Sequence, residues 1–134
     1  MVSVTNANLT LTLDTASSVD IVVDYDAVFN EFERNLAGLG MTFRERIHVF
    51  GDDPANDDDL APDVVFTDQN IPVTTGSGSV TVHRHRVLNN VLRSKLQEDT
   101  LPADDDELFC NIQISPSNLP SLVSSNTPVR ILGN

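Results

Sequence analysis

One cysteine, one lysine, one tyrosine and no tryptophan occur in these 134 residues. The single thiol, Cys110, cannot close an intramolecular disulfide, so the chain is not a stapled secreted scaffold. No apolar run approaches the roughly 18 residues that a membrane-crossing helix needs. The first eight residues lack both a basic segment and an apolar segment, so no signal peptide is expected and the cytoplasm is the default location. Basic residues are scarce, 8 against 20 acidic, for a formal charge of −12. That field repels phosphate backbones and anionic lipid surfaces, so neither nucleic acid nor a membrane is an expected partner. It suits solubility, cation binding or a salty environment.

Catalytic signatures are also missing. No G-x-S-x-G elbow occurs. Gly76-Ser77-Gly78 is followed by no helix bearing a lysine, so no phosphate cradle is supported. Carboxylates are plentiful but sit in acidic runs, and nothing marks one as desolvated enough for acid–base work. Cys110 lies in an apolar alternating segment, which suits a small core residue better than a nucleophile.

What is present is branched and apolar. Hydrophobic residues make up 40% of the chain, enough for one packed core, and Val, Leu and Ile dominate, which favours strands. The length suits one domain spanning 1–134. Leu9, Leu11 and Leu13 alternate with Thr10 and Thr12. Val19, Ile21, Val23 and Tyr25 alternate with Asp20, Val22 and Asp24, and the pattern can run on to Phe29. In 41–50, Phe43, Ile47 and Val49 share a face that Glu45 interrupts, with Arg44, Arg46 and His48 opposite. In 79–88, Val80, Val82, Arg84 and Arg86 share one face and Thr81, His83, His85 and Val87 the other. In 108–114, Leu108, Cys110, Ile112 and Ile114 align. Period-two patterns of this kind read as half-buried strands. Shorter strands are expected at 63–67, 71–74 and 128–132. Val28, Phe32, Leu36 and Leu39 suit either a short amphipathic helix ended by Gly38 and Gly40 or a strand end with a loop. A helical turn could close 89–97. The expected fold is all-β: an antiparallel two-sheet β-sandwich of about seven or eight strands with at most one or two short helices.

Two acidic runs are the most informative feature. Asp52, Asp53, Asp57, Asp58 and Asp59 form one, in a segment that also holds Gly51 and Pro54. Asp104, Asp105, Asp106 and Glu107 form the other, with Glu98 and Asp99 just before it. Calcium takes about six to eight oxygen ligands, and Asp-rich loops at one end of a sandwich can supply them. The spacing is not that of an EF-hand. The plain alternative is two solvated, mutually repelling turns. The calcium reading requires the runs to lie together.

His83 and His85 sit two apart on one strand face and could share a transition metal, with His48 as a third ligand. Against this, Arg84 and Arg86 alternate with them, and no acid or cysteine in the segment completes a shell. The alternating arginines imply cross-strand charge pairing, with Glu45 as a candidate partner; they could instead form a positive patch that meets an acidic loop of another subunit. The leading expectation is a non-catalytic binding or assembly module, calcium-binding through its Asp-rich loops, that associates with itself or a protein partner. The alternatives are a small metalloenzyme using His83 and His85, and a structural subunit of a larger homo-oligomeric assembly.

Overall fold

The computed structural model describes residues 2–12, 15, 17–51, 58–96, 106–117 and 123–132. Alternating sequences produce alternating burial. In β1 (Ser3–Thr12) Leu9 is wholly buried, and in β2 (Ser18–Phe29) Val19, Ile21, Val23, Tyr25, Ala27 and Phe29 all point into the core. Helix α1 (Glu31–Gly38) follows, then β3 (Phe43–Gly51), β4 (Asp58–Asp59) and β5 (Gln69–Ile71). After them come β6 (Val80–Leu92), the short α2 (Arg93–Leu96), β7 (Asp106–Pro116), β8 (Val123–Asn126) and β9 (Arg130–Leu132).

The strands form two antiparallel sheets. The first runs β1-β2-β6; the second centres on β3 and β7, with β4 and β5 beside β3 and β8 and β9 beside β7. The inward residues of β3 and β7, among them Phe43, Ile47, Val49, Leu108, Cys110, Ile112 and Ile114, meet those of β2 in one core cluster. Phe29 and Phe43 join the sheets edge-to-face, 5.0 Å between ring centres, a favoured aromatic geometry. The fold is the expected all-β sandwich, and among the described residues no helix is long and apolar enough to cross a membrane.

Several expected elements shift. Segment 63–67 contributes only a single bridge, Val65 to His48, and the strand expected at 71–74 lies at Gln69–Ile71. β6 runs on to Leu92, through a register shift near Asn90, whose backbone has φ 57° and whose N–H donates to Asp20 Oδ1. β8 was not expected. All its residues but Val123 are polar, and it is a strand through pairing with Asn111–Ile114 of β7.

The helix forms at 31–38, but only part of its expected apolar stripe faces the protein: Leu36 is half-buried while Phe32 and Leu39 point outward. Asn30 caps it, accepting from the Glu33 N–H at 2.9 Å, while Glu33 Oε1 accepts from the Asn30 N–H at 2.9 Å. This reciprocal capping box buries Glu33. Arg34 then ties the helix to the turn at 74–78, donating to Thr74 O at 2.9 Å and Ser77 O at 2.8 Å. A Cβ on Gly76 would push against the Arg34 guanidinium, so a side chain there would displace this tether. α1 therefore turns Glu33, Arg34 and Ala37 toward the protein, and Phe32 and Leu39 are exposed.

Candidate functional site

Three polar groupings stand out, one between the sheets and one on the outer face of each.

Glu45 interrupts the apolar face of β3 because it is the centre of an ionic cluster inside the sandwich. Its carboxylate is fully buried. Arg84 Nε donates to Oε2 at 3.0 Å, and Arg86 Nη1 and the Tyr25 hydroxyl also donate to it. Burial, reinforced by the adjacent carboxylate, pushes the Tyr25 phenol well above its ordinary range, so it stays a donor. Further arginine donors are engaged: Arg84 Nη2 reaches Gln69 Oε1 at 2.9 Å, Arg86 Nη2 reaches Thr67 O at 2.7 Å, and the Arg86 guanidinium lies 5.8 Å from the Phe66 ring centre. Glu45 is the partner of these arginines, but across the sandwich rather than across a strand pair. Arg84 and Arg86 are thereby largely buried and do not form an outward positive patch.

The outer face of the β1-β2-β6 sheet carries the two neighbouring histidines. Asp24 and His85 are register partners, as are Asp26 and His83. His85 Nδ1 lies 2.6 Å from Asp24 Oδ1, and His83 Nδ1 lies 2.9 Å from Asp26 Oδ1. A hydrogen bond from Asn6, then the one to His83, holds the Asp26 carboxyl below its ordinary range. The acids absent from the histidines' own segment come from β2, where Asp24 and Asp26 repeat the two-residue spacing of His83 and His85. His48 does not join them; it lies on the outer face of the other sheet. Among the described residues no three His, Cys, Asp or Glu side chains are placed to hold a metal ion.

The outer face of the second sheet is a polar strip. From β3 it takes Thr42 (just before the strand), Arg44, Arg46, His48 and Phe50; from β7 it takes Phe109, Asn111, Gln113, Ser115 and Ser117 (just after it). His48 is clamped: Arg46 Nε donates to Nε2 at 2.9 Å, so Nε2 accepts, and Nδ1 faces Asp59 Oδ2 at 2.9 Å. Burial raises the Asp59 carboxyl, but the Ala61 N–H, His48 and Arg46 outweigh it and hold the group below its ordinary range. Arg44 pairs with Asp68 at 3.1 Å. Two depressions follow one another along the strip. A cleft of about 570 Å³ is lined by Thr42, Arg44, Asp68, Gln69, Asn70 and the 115–117 segment. A smaller one of about 140 Å³ is lined by Arg46, His48, Phe50, Asp59, Asn111 and Gln113.

Most of the expected calcium ligands lie outside the described residues: Asp52, Asp53, Asp57, Asp104 and Asp105. Asp58 and Asp106 are described by their backbones, opposite Gly51 and Leu132 respectively. Asp59 is engaged by His48 and by the Ala61 N–H. Cys110 is wholly buried, and burial pushes its thiol up to about 12, in keeping with a core role.

Comparison with protein-family models, with curated proteins and with solved structures finds no match to this chain.

Proposed function

We propose that this chain is a non-catalytic binding or assembly module whose acidic end takes up calcium. The observation that carries the reading is the register at the end of β3. Gly51 sits opposite Asp58 on one side and opposite Leu108 on the other. In the sequence, Asp52, Asp53 and Asp57 fall between Gly51 and Asp58, and Asp104, Asp105, Asp106 and Glu107 run directly up to Leu108. Both acidic runs are therefore anchored to neighbouring strand ends, which is the condition for carboxylates from each to reach one ion.

The assembly part of the reading rests on β6. This 13-residue strand pairs only with β2 among the described residues, so its second edge presents open backbone groups. Such an edge is a template for an added strand. On the other edge of that sheet, Arg130 of β9 donates to Leu9 O at 2.8 Å and to Asn8 Oδ1 at 2.9 Å.

Melting measured in millimolar calcium tests the cation. The expected result is a rise in Tm well beyond that from NaCl of equal ionic strength, abolished when Asp52, Asp53, Asp104 and Asp105 become Asn. An unchanged Tm removes calcium from the reading. Light scattering over a concentration series tests assembly, and a strict monomer at high concentration removes that part.

A further inference from the structure

The geometry points to the outer strip of β3 and β7 as a binding site for a neutral oligosaccharide chain. This names a ligand for the binding-module reading and rests on it.

Shape comes first. The two depressions are not separate sites. Arg44 lines one and Arg46 the other, and these are successive outward positions on β3; Ser115 and Gln113 are the matching successive positions on β7. The strip from Thr42 to Phe50 covers eight residue steps, roughly 26 Å at about 3.3 Å per residue. That is a track for a chain of linked rings rather than a pocket for one small molecule.

Charge comes second. The strip holds two guanidinium groups, and each is matched by a carboxylate: Arg44 by Asp68 directly, Arg46 by Asp59 through the His48 ring. With His48 neutral the strip has no net charge, while the whole chain carries −12. An anionic polymer would meet a repelling field and find no unmatched cation. An apolar peptide would leave these polar groups desolvated without partners. A neutral, hydroxyl-rich chain meets neither penalty.

Hydrogen-bond chemistry comes third. A sugar hydroxyl both donates and accepts, so it is best read by groups that offer both together. The strip offers the side-chain amides of Asn70, Asn111 and Gln113. One of them is already oriented. Asn111 Nδ2 donates to Ser124 Oγ and Asn126 Oδ1, both at 2.8 Å, which leaves Asn111 Oδ1 to accept. Orientation before binding lowers the ordering cost of the complex. Phe50, stacked on Phe109 at 5.3 Å, adds an apolar edge for the C–H surface of a ring.

NMR titration of the full chain at about 0.15 M NaCl tests this. The probes are neutral hexasaccharides of glucose (β1,4- and α1,4-linked), xylose and mannose, with polygalacturonate as the anionic comparison. At least one neutral probe is expected to give saturable shifts confined to the amides of 42–50, 68–70 and 109–117. Asn70→Ala and Gln113→Ala should each weaken that binding roughly ten-fold, with Tm unchanged. The inference is overturned if no neutral probe gives saturable shifts, if only polygalacturonate binds, or if the shifts fall on the β1-β2-β6 sheet. Because the calcium and light-scattering tests use neither these probes nor these residues, failure here leaves their outcome separate.

Discussion

Arg86 of β6 and Glu45 of β3 face each other across the sandwich, a guanidinium from one sheet against the one fully buried carboxylate among the described residues. Their contact, with that of Arg84, joins the sheets through charge beside an apolar core cluster. A buried ionic group of this kind contributes little net stability over an apolar replacement, but breaking it is costly because the remaining charges lose their counterion.

Glu45→Ala should therefore destabilise the fold by about 3–5 kcal/mol, since two largely buried guanidinium groups would be left side by side. Urea unfolding followed by circular dichroism measures this. A loss below about 1 kcal/mol, the range of an exposed pair, would mean that the cluster is hydrated rather than closed.

Acid should unfasten the two outer faces. Asp26 and Asp59 have carboxyls held below their ordinary value of 3.8. A depressed folded-state value adds stability that is complete above the unfolded value and disappears as pH falls through the folded one. The stability difference between wild type and Asp59→Asn should hold from about pH 7 to 5 and shrink below about pH 4. Chemical unfolding at a series of pH values reads it; a difference that grows on acidification contradicts the sign.

The capping box of α1 gives a local test. Asn30→Ala removes the acceptor for the Glu33 N–H and should cost about 1 kcal/mol. Hydrogen exchange should then show faster opening at 33–36 with β3 and β7 unchanged. Uniform acceleration across the sheets would mean that α1 is bound into the core more tightly than its exposed Phe32 and Leu39 imply.

Cys110 should resist thiol reagents in the folded chain. Its sulfur is wholly buried and its thiol is pushed up to about 12, so little thiolate exists at about pH 8. Labelling with an aromatic disulfide should proceed only as the chain opens and become rapid in denaturant. Rapid labelling under native conditions would place the β7–β8 contact, where Thr127 Oγ1 accepts from the Cys110 N–H, among the first to open.

The strands were legible where one face is buried, because strict alternation leaves only one way to place a strand on a core. Val19 through Tyr25 and Leu108 through Ile114 face inward as their spacing requires. Glu45 was visible as an interruption, and Arg84 and Arg86 as an oddly basic face. That these are one object was not visible, since their strands belong to different sheets and local pattern carries no inter-sheet register. β8 has one apolar residue, Val123, and no alternation; its pairing with β7 creates it. The helix was misread on its facing because two polar contacts, the Glu33 cap and the Arg34 tether, decide which side meets the protein. Asp24 and Asp26 were overlooked as partners of His83 and His85, although the two pairs share a two-residue spacing on long strands.

Among the described residues the first sheet has two long edges, β1 and β6, and neither has a strand paired beyond it; Arg130 reaches the β1 edge only at Asn8 and Leu9. The described edge strands of the second sheet are two to four residues long. On the proposed assembly reading, copies would therefore join through the first sheet, where a second backbone edge would extend what the first begins.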